Sequence, residues 1–402
     1  MALTVVKFGG TSVASANLIL KAARRVFEQK KSSDVIVVVS AMGHTTDELI
    51  KLSSQITKNP RAREMDMLLT AGERISVALF TMALQKWGLK AISFTGSQVG
   101  IITDNRHTDA RIIEIRGERI KNALNQGFVP VVCGFQGVSF EKEITTLGRG
   151  GSDTTAVAIA AALNAQKCII YTDVDGVFTE DPNRFPDVKK IDKISYEEML
   201  ELASRGAKVL HPRATGIGAR FDVPIEVKNS FNNKSGTLIT HINGMEHPKP
   251  KAITHSEGLY LITLVQVPKN PKYLSQITTE LTNAGVHLKF FFHGISDAPH
   301  FDLSFITPLE ERELVQKIIK RLAKGLKIKE IKESLDICSM SIIGAGIGSD
   351  HKILAEIFKE LSKAKTHIEA VTTSELSINI FLKKKFLEKS INSLLKKFQL
   401  KK

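Results

Sequence analysis

Six short runs rich in Val and Ile, at residues 4–8, 35–39, 91–94, 129–133, 168–172 and 225–227, carry no polar alternation. A strand with one wet face alternates apolar and polar residues, whereas a strand without that rhythm is covered on both faces. Between these runs lie segments of helical period, at 67–87, 112–125 and 154–163, and two shorter ones flanking Gly206. Strand–helix alternation of this kind implies α/β architecture, with a mostly parallel sheet sandwiched by helices. Residues 1–230 are assigned to this one large domain.

The chain then changes character. Residues 231–257 are rich in Asn, Gly, Pro and Ser and read as a linker. Beyond it the sequence repeats itself with a period of roughly 80 residues. Ile277 and Leu281 recur as Ile357 and Leu361, and His287 recurs as His367. Each copy passes from an apolar strand through a turn to a helix, then to two strands and another helix. That order is the ferredoxin-like βαββαβ pattern. The expected small domains are 258–335 and 336–402.

The chain has 402 residues and a formal net charge of +14. An excess of basic residues invites a nucleic-acid reading, but its distribution argues against one. The last 20 residues hold eight Lys and one Glu. There Leu387, Ile391, Leu394, Leu395 and Phe398 form one helical stripe, which makes the lysines the solvated face of a packed helix. No nucleic-acid motif accompanies them. No apolar run is expected to reach the ~20 residues of a membrane span, and the N-terminus lacks the pattern of a signal peptide. Cys133, Cys168 and Cys338 form no paired motif and read as small core residues. A soluble cytoplasmic protein with neither nucleic-acid nor membrane partner is expected.

Three segments carry candidate chemistry. Lys7-Phe8-Gly9-Gly10-Thr11-Ser12 follows the first strand and opens a helix. Two glycines let backbone N–H groups approach an anion, and a lysine there counters charge on a transferring phosphoryl group. The same residues also suit a plain tight turn. Leu147 to Thr155 reads LGRGGSDTT before an Ala-rich run. Ser152 and Asp153 start helices well, but helix capping leaves Arg149, set between glycines, unexplained; its planar fork suits a carboxylate. Thr172-Asp173 at a strand end, followed by Phe178-Thr179-Glu180-Asp181-Pro182-Asn183, places acids where α/β sheets bind ligands. Asx-turns around Gly176 and Pro182 are the plainer reading. Gly344-Ala345-Gly346-Ile347-Gly348 imitates a dinucleotide loop, yet its spacing is incomplete and too little chain follows for such a domain. Two anion loops and acidic strand ends suggest phosphoryl transfer to a small carboxylate, with a non-enzymatic ligand sensor as the alternative.

The segments KFGGTSV, VVSAMGHTTDEL, TAGERIS, SFTGSQVGI, TTLGRGGSDTTA, YTDVDGVFTEDP and GAKVLHP occur in that order. Together they make the chain resemble the aspartate kinases of the amino-acid kinase family, and the two repeats resemble the ACT regulatory domains of those enzymes. The resemblance implies transfer of the ATP γ-phosphate, with Mg²⁺, to the side-chain carboxylate of L-aspartate. It further implies a place in lysine, threonine, methionine and diaminopimelate biosynthesis, and a homo-oligomer paired through its ACT domains. Carried over by position, it assigns Lys7, Arg149 and Asp153 to catalysis. Thr46, Glu73, Arg149, Gly150, Gly151 and Ser152 are assigned to aspartate, with Glu73 meeting the ammonium group. Lys7, Phe8, Gly9, Gly10, Ser40, Thr172, Asp173, Phe178 to Asn183 and Lys208 are assigned to ATP. A metal site is not assigned. Met245, in the linker, is where some relatives start a separate regulatory subunit.

The sequence departs from the family at two places. Asn183 stands where the family carries Arg, with Arg184 next to it. The first ACT copy reads VPKNPKYL and FFFHG, with Lys272 and His293 where ACT domains show a Pro-Gly turn and an amide; the second copy reads GSDHKIL, with Lys352. Lysine or threonine is the implied effector, and these departures lead to an expectation of weakened or altered feedback.

Overall fold

The computed structural model describes residues 2–242, 248–294, 299–326 and 328–402. It divides into two units, Met1–Met245 and Glu246–Lys402. Met245 itself lies outside the described residues.

The first unit begins β1 (Leu3–Phe8), α1 (Ala16–Lys30), β2 (Asp34–Val39), α2 (Thr45–Ile56), α3 (Ala62–Lys86), β3 (Ala91–Phe94), β4 (Ile101–Thr103), β5 (Ile112–Ile115) and α4 (Glu118–Asn125). It continues with β6 (Val129–Cys133), β7 (Gln136–Ser139), β8 (Ile144–Thr146), α5 (Gly151–Ala162) and β9 (Lys167–Thr172). It ends with β10 (Lys193–Ile194), α6 (Tyr196–Arg205), α7 (Pro212–Phe221), β11 (Ile225–Asn229) and β12 (Thr237–Ile239). Eight strands form one sheet in the order β10-β12-β11-β9-β1-β2-β6-β3. Only the β11–β12 pair is antiparallel. The six apolar runs are all in this sheet, and both of its faces are covered, as their lack of alternation requires. Val6, Phe8, Val37 and Val131 pack with Ala22 and Val26 of α1 and Phe80 and Leu84 of α3. Residues alternate across a strand, so Val5, Ile36 and Val38, also fully buried, serve the opposite face.

Three expectations need correction here. The segment 112–125 is not one helix: Ile112–Ile115 pairs antiparallel with β4, and the helix starts only after Gly117. β-Branched isoleucines favour the strand. That strand belongs to a second sheet, β5-β4-β7-β8, whose short members gave no clear signal. The expected linker supplies β12, which pairs with β10 and β11. Finally, α3 is long and apolar enough to cross a membrane by length and composition, contrary to the hydropathy expectation; just over half of its most apolar stretch is buried inside the unit.

The second unit contains β13 (Ala252–Pro268), α8 (Pro271–Asn283), β14 (Phe290–His293), β15 (His300–Pro308), α9 (Arg312–Leu326), β16 (Glu330–Ile343), α10 (His351–Lys363), β17 (Ile368–Ser374), β18 (Ser377–Lys383) and α11 (Lys384–Lys397). Its sheet order is β14-β15-β13-β16-β18-β17. The two copies share their long strands. Leu261 to Val265 pair with residues 330–334, so the first half of β16 closes the first copy. Ala252 to Ser256 pair with residues 339–343, so the start of β13 closes the second copy. Five of the expected linker residues thus form the second copy's fourth strand, an arrangement that no local pattern announces. The pairing shifts register beside Gly258, where β13 bends. Phe290 and Phe381 meet edge-on at 4.7 Å although four strand-to-strand steps separate β14 from β18. At about 4.8 Å per step a flat sheet would hold them far apart, so the sheet folds over on itself. The stripe on α11 is inward as expected, with Leu387, Ile391, Leu394 and Leu395 buried and the lysines exposed.

Candidate active site

Four adjacent parallel strands, β9, β1, β2 and β6, end at one edge of the large sheet. Chain order reverses on either side of β1, and a crevice outside the carboxyl ends at such a switch is where open α/β sheets bind ligands. The glycine and acidic segments leave from these ends.

Lys7 is the penultimate residue of β1, and its ammonium lies 2.6 Å from Asp153 Oδ1. Asp153 sits in the first turn of α5, a helix buried from Gly151 to Ala160. This largely buried pair joins the two glycine segments into one site. Gly10 has no room for a side chain: a Cβ there would lie 2.9 Å from the Ala41 carbonyl. Its carbonyl accepts from Gly43 N at 3.0 Å, so the loops after β1 and β2 interlock. Ser40 begins that second loop and Thr46 stands in the first turn of α2 after it, both half-buried.

Glu73 projects from α3 toward the same loop. It is 3% exposed, and Oε1 accepts from Ala41 N at 3.2 Å. Its Oε2 has no hydrogen-bond partner among the described residues. Burial raises its pKa to about 7, against the smaller opposing effect of backbone hydrogen bonds. A buried carboxylate with one oxygen unmatched is suited to an incoming cation.

Arg149 is exposed, and no partner for it is found among the described residues. It is flanked by Gly148 and Gly150, both at positive φ. Gly150 is obligatory on two grounds: its φ is +67°, and a Cβ would fall 2.3–2.4 Å from the His211 ring. Burial depresses the pKa of His211 despite the nearby Asp153 carboxylate, and its Nδ1 accepts from Arg213 N at 3.3 Å. Ser152 packs so closely on residue 134 that only glycine fits there.

At the exit of β9, the Thr172 hydroxyl donates to Asp173 at 3.0 Å. Asn229 donates to the Asp173 carbonyl at 3.1 Å and to Asp175 at 2.8 Å. Asp175 also accepts from Asn232 and Lys234, which hold its carboxyl below the usual range, the Asn232 bond foremost. Arg25 spans from α1 to this loop, donating to the carbonyls of Ser230 at 2.7 Å and Asn232 at 2.5 Å. Thr179 and Glu180 are buried, Asp181 and Asn183 exposed, and Asn183 N donates to Asp181 at 2.9 Å. Lys208 is exposed, between α6 and α7.

The structure therefore unites Lys7, Gly9, Gly10 and Asp153, and brings Glu73 to the adjacent loop. It leaves Arg149 and Lys208 projecting into solvent without contact to that pair. Arg25, Asn229, His211, Arg213 and Asp66 were not singled out in the sequence. Two signals were available: His211 lies in the GAKVLHP segment and Arg213 follows it, and Asp66 is an acid set between Met65 and Met67. Among the described residues, no three His, Cys, Asp or Glu side chains gather as a metal cage.

A model of the amino acid kinase family matches residues 2–229, and one of the ACT domain matches residues 340–398. An aspartokinase from Geobacillus stearothermophilus is 42% identical over 402 residues, covering 100% of this chain and 98% of that one. An aspartokinase from Mycolicibacterium smegmatis is 42% identical, covering 100% and 97%. The solved structure of E. coli aspartokinase III in complex with aspartate and ADP superposes with a TM-score of 0.82 at 23% identity, covering 98% of this chain and 99% of that one.

Proposed function

The chain belongs to the aspartokinase family of amino acid kinases, and on that premise we propose how its own residues transfer a phosphoryl group from ATP to the side-chain carboxylate of L-aspartate. The observation that carries the assignment is the Lys7–Asp153 pair at the sheet edge, with Glu73 held to the neighbouring loop.

The nucleophile needs no activation, because an aspartate carboxylate is ionised at neutral pH. The protein's task is placement and charge compensation of an in-line transfer. Lys7 meets the transferring phosphoryl group, and Asp153 keeps the ammonium aimed along β1. The Gly9-Gly10 turn admits the phosphates close to the backbone. Glu73 receives the substrate ammonium on its unmatched oxygen, and Arg149 takes the α-carboxylate. Gly150, Gly151 and Ser152 form the floor, with Ser40 and Thr46 at the junction of the two substrates. Thr172, Asp173, Phe178 to Asn183 and Lys208 surround the nucleotide, with Arg184 compensating for Asn183. With no three-acid cage among the described residues, the donor set fits Mg²⁺ carried by the nucleotide phosphates. Bound there, it would neutralise phosphate charge, and Asp173, exposed at the strand end, would hold it.

The product, 4-phospho-L-aspartate, is an activated acyl phosphate, and we read the enzyme as the first step toward lysine, threonine and methionine. A coupled ADP-release assay with L-aspartate, L-glutamate and N-acetylglutamate in parallel tests the assignment. Turnover with aspartate alone is expected. Preference for either other carboxylate overturns the substrate, and silence with all three leaves an amino-acid sensor.

For the regulatory copies the reading is reduced response to lysine or threonine. Asn270 caps α8 in the first copy as Asp350 caps α10 in the second, each accepting from the second helical N–H, at 2.9 and 2.8 Å. The helix starts are therefore equivalent, but in the first copy Pro268 and Lys269 stand where the second has Gly348 and Ser349. Strong inhibition by millimolar lysine or threonine in the same assay refutes this reading.

A further inference from the structure

Arg149 lies between two glycines whose backbones are the most permissive in the chain, and its own side chain is unheld among the described residues. An arginine that clamps a carboxylate through a planar fork needs a fixed peptide beneath it. The fixing comes from outside the loop. Asp66, fully buried on α3, accepts from the Thr146 hydroxyl at 2.5 Å, from Thr108 N at 3.0 Å and from His107 Nδ1 at 2.7 Å. Arg213, near the start of α7, donates through Nη1 to the Leu147 carbonyl at 2.5 Å and through Nη2 to the Ala110 carbonyl at 2.7 Å. Both side chains therefore stitch the 107–110 segment to Thr146 and Leu147, the residues that lead directly into Gly148 and Arg149.

Asp66 has a second relation to the site. It stands seven residues before Glu73 on the same helix, two turns away and on the same face, about 10 Å along the axis. One rigid helix thus carries both the group that takes the substrate ammonium and the group that anchors the carboxylate clamp. We propose that Asp66 and Arg213 are positioning residues that hold the carboxylate clamp at a fixed place relative to Glu73, so that the α-carbon bearing both the ammonium and the α-carboxylate is held still and only a side chain of aspartate's length brings its carboxylate to the phosphoryl group. This inference rests on the assignment of Arg149 to the α-carboxylate.

Ionised groups are costly to bury; a staple serving stability alone has no need of two of them converging within three residues of a binding arginine. The test is steady-state kinetics of the full chain with Asp66→Asn, Arg213→Lys, Thr146→Val and Arg149→Ala. The Thr146 variant deletes only the hydroxyl that binds Asp66 and leaves every charge in place. The first three are expected to raise the aspartate KM by about 10- to 100-fold, while the ATP KM stays within about twofold and circular dichroism is unchanged. Glutamate turnover relative to aspartate is expected to rise. In an Arg149→Ala background, Thr146→Val is expected to add almost nothing, as for residues acting through one another. If Arg149→Ala raises the aspartate KM and Thr146→Val and Arg213→Lys do not, the positioning role is overturned and the reading of Arg149 stands. If Arg149→Ala leaves the aspartate KM unchanged, the reading beneath it falls as well. Parallel increases in both KM values would show a merely structural staple and equally overturn the proposal.

Discussion

In the first unit the buried polar residues include the ionisable side chains of Asp66, Glu73, Asp153, Glu180 and Glu198. In the second, among the described residues, they are Thr254, Thr307, Ser339, Ser341, Ser377, Asn379 and Ser390, all of them neutral. Both units are layered α/β structures with similar aliphatic cores, so the difference does not arise from fold class. Neutral hydroxyls and amides cost little enough to be left partly matched in a sheet interior: Asn379 Nδ2 donates to Ser377 at 3.1 Å, while its Oδ1 has no partner among the described residues. A buried carboxylate carries a far larger desolvation cost and persists where a partner or an incoming charge compensates it. The position of buried charge therefore separates the unit built for chemistry from the unit built for packing.

The largest expected effect breaks the pair that defines the first unit. Lys7→Ala lowers kcat by about 10²- to 10³-fold, the scale of losing one preorganised donor. The control in the second unit is Lys397→Ala, which deletes a partly exposed pair with Glu356 at 3.1 Å. It changes kcat by less than about twofold and stability by no more than about 1 kcal/mol, as read from ADP release and urea unfolding. Equal effects would end the contrast.

Next comes a pair of glycines with the same left-handed backbone. Gly150 and Gly285 have φ of +67° and +75°, but a Cβ on Gly150 strikes His211 whereas one on Gly285 meets nothing within 4 Å. Alanine at Gly285 costs only the backbone penalty, about 1–2 kcal/mol, with kcat intact. Alanine at Gly150 adds the clash and displaces Arg149, raising the aspartate KM by about tenfold or more.

Glu73 provides a pH test on a buried carboxylate, a kind of group that the second unit lacks among the described residues. Its folded pKa of about 7 lies above the ordinary 4.5, so the free folded enzyme binds a proton that the unfolded chain releases. Its contribution to the stability of the free enzyme is present below the ordinary pKa and is lost as pH rises toward 7. Binding runs the other way: the substrate ammonium prefers the ionised form, so aspartate affinity falls by about tenfold per unit as pH drops below 7. Glu73→Gln should flatten both profiles in melting and isothermal titration experiments. The smallest effect sharpens the internal repeat. Ile277→Val and Ile357→Val, at equivalent buried positions, should each cost about 0.5–1.5 kcal/mol and differ little from one another.

Much of this was legible along the chain. The absence of polar alternation in residues 35–39 and 129–133 reports burial on both faces, and that property is local. The ordered glycine, lysine and arginine segments carry the chemistry because glycine is required wherever backbone or ligand comes close. What escaped was held by partners that the local pattern does not name. Ile112–Ile115 became a strand because β4 lay beside it. Ala252 to Ser256 became part of the second repeat because β16 offers an open edge some 80 residues later. Asp66 and Arg213 gave weak signals because their value lies entirely in what they touch.

The sequence by itself determined a parallel α/β unit, a duplicated βαββαβ unit and the residue types of a phosphoryl-transfer site, since periodicity and backbone freedom are written residue by residue. Only the tertiary structure decided that Lys7 meets Asp153, that Glu73 keeps one oxygen unmatched, that the second repeat takes its closing strand from residues 252–256 ahead of the first, and that Arg149 stands on a loop held by Asp66 and Arg213. Those outcomes depend on burial and on contacts across many tens of residues, and desolvation acts only once the chain has closed around the group.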